Sequence, residues 1–452
     1  MTTMTVAAPA TRNDVGSQLD ALPVGRVHRK VVIAIGLGLF FEVYEIFVSS
    51  SIATALKTEY HLGGTTLSLL MASSFIGMFI GAAAFGRIAD RIGRRRAFLL
   101  NLVWFSVCSL LAAIAPTPAL LVAARFLAGI GIGAEYPVAD SYLSDVLPKD
   151  HRGRLAAWAY TCSFLAVPAL GFLTLGLSGR TVFGMEGWRV LLLIGAVGAV
   201  FVMFLRRGLP ESPRWLVAQG RTREAQDALQ ELADGSPVAP ISAEPACVTA
   251  NPVARLRQRP YRARVGMLAV FHLFQPFGYY GFGTLAGLVL LARGFDVSAS
   301  LLFTALSFFG YPLGSLLSIP LLARVERKYL VLASAAAMAG CGIAFATVSD
   351  PALIVLFGVL TTTAANVFSN VYHVYQAEIF PSDVRATAVG WTYSLSRLSS
   401  AAMPFVLIPV LDHYGATAMF SVVVAALVIA IAVLMPLGPR TTGRSLEEIN
   451  PV

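Results

Sequence analysis

Apolar runs of spanning length recur near residues 31–53, 65–86, 97–115, 119–143, 154–176 and 187–205, and again near 265–292, 299–322, 329–348, 351–377, 385–410 and 414–436. A helix needs about twenty such residues to cross the hydrocarbon core of a bilayer, so the pattern predicts twelve membrane helices, numbered below as spans 1 to 12. The one long polar stretch, 206–262, carries Pro210, Pro213, Pro237, Pro240, Pro245, Pro252 and Pro260 around a charged helical patch, Thr222 to Leu232. It predicts a linker between six-helix halves, 31–205 and 263–436, with polar tails at 1–30 and 437–452. The fold class expected is therefore an all-α integral membrane protein.

The halves repeat one another. Asp145, Pro148, Arg152 and Trp158 recur as Glu378, Pro381, Arg385 and Trp391, each displaced along the chain by the same interval. That interval also carries Arg91, Arg94 and Arg95 onto Arg324, Arg327 and Lys328, and Pro118-Ala119-Leu120 onto Pro351-Ala352-Leu353. One offset held across three separated motifs predicts parallel repeats with a ligand site near the bilayer midplane between them.

Composition agrees: 56% of the 452 residues are hydrophobic and 13% charged, which excludes a soluble enzyme. The net charge of +9 fits loops beside anionic lipid, so no nucleic-acid partner is expected. Arg26, Arg29 and Lys30 precede span 1; Arg87, Arg91, Arg94, Arg95 and Arg96 lie between spans 2 and 3; Lys149, Arg152 and Arg154 lie between spans 4 and 5. The alternate connections, such as Ala115 to Pro118 and Ser349 to Pro351, carry almost none, so both termini are expected in the cytoplasm. Residues 1–25 lack the apolar core of a signal peptide, so span 1 is read as a permanent helix. Cys108, Cys162, Cys247 and Cys341 show no C-x-x-C spacing and predict neither disulfides nor zinc. No metal or cofactor is expected.

Ionisable groups at a span centre cost roughly 2.5–3.5 kcal/mol each, so those present are candidates for function. Span 1 carries Glu42 and Glu45 on one face, with Ser49 a turn further on. Two close carboxylates out of water do not both ionise easily, which makes one of them a proton carrier, and Arg125 early in span 4 is the obvious counter-ion. The repeat offset places Gln275 where Glu42 stands in the first half, so the acid is not repeated and coupling is assigned to the first half. Arg397 lies inside span 11 with Tyr393 and Ser400 on its face and nothing acidic nearby in sequence. It is either a docking point for an anion, since guanidinium gives a carboxylate two parallel hydrogen bonds, or an ion-pair partner of an acid on span 1 or 4.

Span 7 carries Phe271, Phe274, Phe277, Tyr279, Tyr280 and Phe282 around Gln275, of which two or three are expected to meet a ligand. Asn366, Asn370 and His373 form a polar stripe on span 10, suited either to a ligand or to interhelical hydrogen bonds. His272 and His373 read as too isolated for a metal. Gly77 and Gly81 on span 2, with Gly129, Gly131 and Gly133 on span 4, predict close helix packing. Glu135 and Asp140 follow the span 4 glycines, and Asp140, nearer the cytoplasmic end, is a gate candidate.

The stretch Gly86-Arg87-Ile88-Ala89-Asp90-Arg91-Ile92-Gly93-Arg94-Arg95 resembles the G-x-x-x-D-R-x-G-R-R signature of the major facilitator superfamily. Pro210-Glu211-Ser212-Pro213-Arg214-Trp215-Leu216 and Gly443-Arg444-Ser445-Leu446-Glu447-Glu448 resemble its sugar-porter and organic-ion branches, and the resemblance covers nearly the whole chain. It implies that Glu45, in Val43-Tyr44-Glu45, takes the proton opposite Arg125, with Glu42 tuning it. Organic-anion and bacterial niacin transporters carry an arginine at the step of Arg397, nineteen residues after the acid Glu378, and Glu135-Tyr136-Pro137-Val138 resembles a niacin-transporter segment, which implies that Glu135 lines the cavity. The resemblance further implies a gate of Asp90, Arg91, Arg94, Arg152, Glu378 and Arg385, weakened in the second half where Ala323 and Glu326 replace the Asp and Gly.

The expectation is a monomeric proton-coupled symporter in the plasma (inner) membrane, not an enzyme, importing a small aromatic monocarboxylate such as nicotinate by alternating access. Its substrate contacts would be Arg397, Tyr393, Gln275, Tyr279, Phe274, Asn366, Asn370 and Glu135. A sugar or other metabolite porter, a non-transporting receptor-like relative and drug efflux by antiport stand as alternatives.

Overall fold

The computed structural model describes residues 15–59, 62–241, 256–380, 382–442 and 449. In the first half, span 1 is Arg26–Glu59, span 2 Gly64–Ile92, span 3 Arg94–Ala113 and span 4 Pro118–Val146; span 5 runs through Lys149–Phe164 and Ala166–Leu177, and span 6 is Gly187–Arg207. In the second, span 7 is Tyr261–Ala292, span 8 comprises Val297–Ser307 and Gly310–Arg324, span 9 is Arg327–Thr347 and span 10 Pro351–Glu378. Spans 11 and 12 share Ser382–Leu437 and part at Gly415, whose φ of 80° no helix tolerates. Ten helical stretches among the described residues have the length and hydropathy of a span, the last of them holding two. Span 7 is the twelfth; its hydropathy is diluted by His272, Gln275, Tyr279 and Tyr280.

Spans 5 and 8 are each interrupted for a chemical reason. Pro168 and Pro312 have no N–H to give the carbonyls of Phe164 and Phe308, four residues earlier, and the helix breaks there. Spans 2 and 4 pack backbone to backbone: a β-carbon at Gly77 or Gly81 would overlap the carbonyl oxygens of Phe126 and Ile130, and one at Gly129 or Gly133 those of Ser74 and Met78. Between spans 5 and 6 a two-stranded antiparallel hairpin pairs Thr181–Val182 with Met185–Glu186. The linker adds helices Pro213–Ala218 and Thr222–Ala233, and a short helix Val15–Ala21 precedes span 1. The face carrying these three is called the linker face, and the opposite one the loop face.

The repeat read from the sequence has a three-dimensional counterpart. Arg94 pairs with Asp145 at 3.6 Å and Arg327 with Glu378 at 3.0 Å, and both partners of the second pair stand at the repeat offset from those of the first. Tyr142 donates to the Pro210 carbonyl at 2.7 Å, and Tyr375, its equivalent in the second half, donates to that of Pro439 at 2.9 Å.

Polar contacts between the halves, among the described residues, lie from the middle towards the loop face. Lys57 pairs with Asp412 at 2.9 Å, Ser68 donates to the Pro404 carbonyl at 3.2 Å, and Thr161 and Ser315 share a hydrogen bond of 3.0 Å. Phe164 stacks on Tyr311 with ring centroids 6.2 Å apart. Nearer the linker face, Asp140 and His373 keep water-accessible surface although protein surrounds them. The molecule is thus closed on the loop face, with an internal vestibule towards the linker face.

Candidate functional site

Three buried charge centres lie inside the helical bundle. In the first, Arg125 of span 4 binds Glu45 of span 1 at 2.5 Å, donates to the Glu45 carbonyl at 2.7 Å and to Ser49 Oγ at 3.2 Å. Both ionic side chains are wholly buried, and Ser49 bonds on to Ser74 of span 2 at 3.2 Å. Spans 1, 2 and 4 are therefore tied through one guanidinium. A buried charge is least costly when paired and hydrogen-bonded, and Arg125 meets both conditions. The structure brings together Glu45, Ser49 and Arg125, all three named from the sequence.

The second centre is Glu135 of span 4 with Arg206 of span 6, paired at 2.5 Å and each 1% exposed. Asn101 of span 3 donates to the other Glu135 oxygen at 2.9 Å, and Arg206 also donates to the Ala34 carbonyl at 3.2 Å and lies 4.4 Å from the Phe98 ring centroid. Gly38 makes the room, since a β-carbon there would overlap the guanidinium. Glu135, expected to line the cavity, is instead a member of this buried network. Sequence reasoning missed Arg206, which at the end of span 6 beside Arg207 reads as an ordinary boundary cation. The one cue to it was a glycine on span 1, far away in sequence.

The third is Arg397. It is 3% exposed, donates to the Tyr280 hydroxyl at 2.9 Å and lies 5.3 Å from the Tyr393 ring centroid, and no carboxylate among the described residues pairs with it. The ion pair with an acid of span 1 or 4 does not form. Tyr280, rather than its neighbour Tyr279, is the direct partner; the two rings pack edge to face at 4.8 Å. Tyr393 is half-buried beside Arg397, and Phe274 is half-buried against the core. Glu42 is fully buried with neither carboxylate oxygen hydrogen-bonded, and Gln275 Oε1 is likewise without a partner. Glu42 lies within electrostatic reach of Glu135, Arg397 and Arg206 but pairs with none.

The span 10 stripe turns to its neighbours. Asn366 donates to the Tyr311 carbonyl and Asn370 to Ser318 Oγ at 2.9 Å, so both amides hold span 10 to span 8. The two histidines that read as isolated are joined instead: Gln376 bonds His272 at 2.9 Å and His373 at 3.1 Å. The bridging glutamine lies 104 residues from His272, which no local pattern reveals. No group of His, Cys, Asp or Glu among the described residues is arranged to hold a metal. Asp140 accepts a short hydrogen bond from Tyr160, and the repeat offset carries this pair onto His373 and Tyr393.

Of the gate residues, Arg94 and Glu378 form the repeated ion pairs already described. Arg152 binds Asp20 of the N-terminal helix at 3.0 Å, and Arg91 is exposed. Glu211 caps span 3, accepting from the backbone N–H of Arg94 at 2.9 Å, and Ser212 donates to Asp145 at 2.8 Å. The side chains of Asp90 and Arg385, and the segment 443–448, lie outside the described residues.

The family model described as "Sugar (and other) transporter" matches residues 30–452. The putative metabolite transport protein YyaJ of Bacillus subtilis (strain 168) is 29% identical over 443 residues, covering 96% of this chain and 97% of that protein. The niacin transporter NiaP of Acinetobacter baylyi is 28% identical over 446 residues, covering 97% and 100%. Among solved structures, the partially occluded inward-open xylose transporter XylE of E. coli superposes with a TM-score of 0.75 at 21% identity, covering 93% of this chain and 100% of that one.

Proposed function

The chain belongs to the sugar (and other) transporter family, and on that premise we propose that it carries a small organic anion, an aromatic monocarboxylate of the nicotinate type, in symport with protons by alternating access. The observation that carries this reading is Arg397, buried inside the helical bundle without a carboxylate partner among the described residues and flanked by the rings of Tyr280 and Tyr393. A guanidinium kept out of water favours any anion that reaches it, and aromatic walls favour a flat one. The niacin transporter among the relatives supports the same class of cargo.

Coupling is assigned to the Glu45–Arg125 pair. With Glu45 ionised, the pair binds spans 1 and 4 together; a proton on Glu45 cancels the charge that holds Arg125 and releases that tie. Proton binding then biases the equilibrium between the two open states. The linker face is taken as cytoplasmic from the arginines that border it. Sugar porting is less well supported, because the side-chain N–H groups of Asn366 and Asn370, amides that would meet sugar hydroxyls, are given to span 8. Counterflow in proteoliposomes across aromatic acids, sugars and organic cations tests the proposal. Exchange of nicotinate-like acids, stimulated by an inward proton gradient, is the expected result; exchange of sugars alone would refute it.

A further inference from the structure

Span 1 opens with Arg26, Arg29 and Lys30, and Ile33 follows at helical spacing, so the four share one face of the helix. Together with Ala34, and with Leu205 of span 6, they line an open cleft of about 370 Å³ where the two spans meet at the linker face. All three cations are exposed, and no carboxylate among the described residues pairs with their side chains. Lys30 donates to the Gly208 carbonyl at 2.9 Å, which draws its head towards the end of span 6. Asp234 of the linker comes near but accepts from the backbone N–H of Arg26, at 2.9 Å. The cleft therefore keeps a positive excess. A second basic cleft on the same face, lined by Arg95, Arg96 and Arg221, holds acids of its own, Glu211 and Glu224, and Arg221 pairs with Glu224 at 2.5 Å. That one is neutralised from within, and the first is not.

The surface beside the first cleft says what would neutralise it. Ile33 is 60% exposed, and Phe201 and Phe204, one turn apart on span 6, are each 58% exposed. Exposed apolar side chains on a membrane span face lipid tails, and the guanidinium of Arg207 lies over the Phe204 ring at 4.8 Å, where the span gives way to the headgroup layer. We propose that the cleft between the start of span 1 and the end of span 6 binds one anionic phospholipid, its phosphate ester held by Arg26, Arg29 and Lys30 and its acyl chains laid along Ile33, Phe201 and Phe204. Guanidinium groups suit a phosphate because two parallel N–H bonds reach its oxygens. A soluble phosphate ester would leave the apolar continuation unused, and a neutral lipid would leave the cations unanswered. The site is independent of what the protein carries. The same three cations that orient the chain by their number thus acquire a second role by their common face, and the bound lipid would splint the junction that Lys30 makes with span 6.

The test titrates the full-length protein in detergent with phosphatidylglycerol and with phosphatidylcholine of the same chains, counting bound lipid by native mass spectrometry and following thermal unfolding. One phosphatidylglycerol should be held at least about tenfold more tightly than phosphatidylcholine and should raise the unfolding temperature. Arg29→Gln should weaken it about fivefold, the contribution of one basic residue at an anionic headgroup, and Arg26→Gln is read in the same way. Arg29→Lys, which keeps the charge without the fork, should fall between wild type and Arg29→Gln. Arg96→Gln, in the neutralised cleft, should change nothing, and an unaltered phosphatidylcholine titration shows that each variant is folded. Equal retention of the two lipids by the wild type overturns the site, and so do equal losses in Arg29→Gln and Arg96→Gln, which would reduce the effect to surface charge. Glycerol phosphate that binds as tightly as the lipid would give the cations to a soluble phosphate ester and overturn the lipid assignment.

Discussion

Gly195 of span 6 stands so close to Glu45 that a β-carbon there would overlap the Glu45 Oε1 oxygen and come within 3.2 Å of the Tyr44 ring. The other carboxylate oxygen is held by Arg125 at 2.5 Å. Glu45 is thus fixed from both sides, by a charge and by the absence of a side chain. Gly195→Ala is expected to push the carboxylate off Arg125, at an overpacking cost of about 1–3 kcal/mol. Thermal unfolding in detergent and proton-driven uptake should both fall. Gly176→Ala, where nothing lies within 4 Å, is the control and should behave as wild type; equal losses in the two variants would deny Gly195 this role.

Glu45→Gln imitates the protonated acid permanently. Uptake driven by an inward proton gradient should be lost while exchange of substrate between the two sides survives, because exchange needs no proton to be released. A Glu45→Gln protein that still concentrates substrate in response to the gradient would remove this residue from coupling.

Arg397→Ala should weaken anion binding by roughly 2–5 kcal/mol, the usual loss when one member of a buried charge pair is truncated. Arg397→Lys keeps the charge without the two-pronged donor and should fall between the two. The neutral amide of the preferred acid should bind poorly to the wild type and change little on mutation. Titration of detergent-solubilised protein measures all three, and full-rate transport of a neutral or cationic compound by Arg397→Ala would contradict the anion assignment.

Glu135 and Arg206 are predicted to matter for folding more than for cargo. Arg206→Met alone leaves Glu135 buried without its cation and should destabilise by about 3–5 kcal/mol, whereas Glu135→Leu combined with Arg206→Met should recover much of that loss. Thermal unfolding of the singles and the double decides the matter. A single variant as stable as the wild type would show that the pair is dispensable.

Lys57 and Asp412 join the halves on the loop face, each about one-third exposed. A pair so exposed contributes about 0–1 kcal/mol, so Asp412→Asn should raise the population open to that face by at most about fivefold. Labelling of a cysteine at Ser50, which lines a cleft between spans 1, 5, 7 and 8 in the loop-face half, reports it once the native cysteines are replaced. Reversing both charges should restore the wild-type rate. No increase in Asp412→Asn would mean that the other contacts between the halves, among them Ser68 with Pro404, Thr161 with Ser315 and Phe164 with Tyr311, keep this face shut without the ion pair.

Spans and repeat were legible because both are periodic signals: apolar length for the one, a fixed offset for the other. Glu45 and Arg125 were legible because an acid or a guanidinium within an apolar run is conspicuous by its cost. Arg206 was not, since a cation at a span's end is commonplace and its burial depends on Gly38 and Glu135 from other spans. The bridge of Gln376 between His272 and His373 was hidden for the same reason. Asn366 and Asn370 had two readings of equal standing, and the hydrogen bonds they give to span 8 depend on a neighbour that no local pattern reveals. What escapes the sequence in each case is which neighbour the tertiary packing supplies.

The hydrogen bonds from Tyr142 to Pro210 and from Tyr375 to Pro439 fasten each bundle to the chain that leaves its own sixth helix. Each bundle is in this sense self-buckled, and neither clasp borrows a residue from the other bundle. A chain cut between Ile241 and Leu256 would leave both clasps intact, so two separately expressed fragments should fold independently and reunite in the membrane. The covalent connection then acts as a leash between the partners, and the interface between them is the hinge that the proposed alternating access requires.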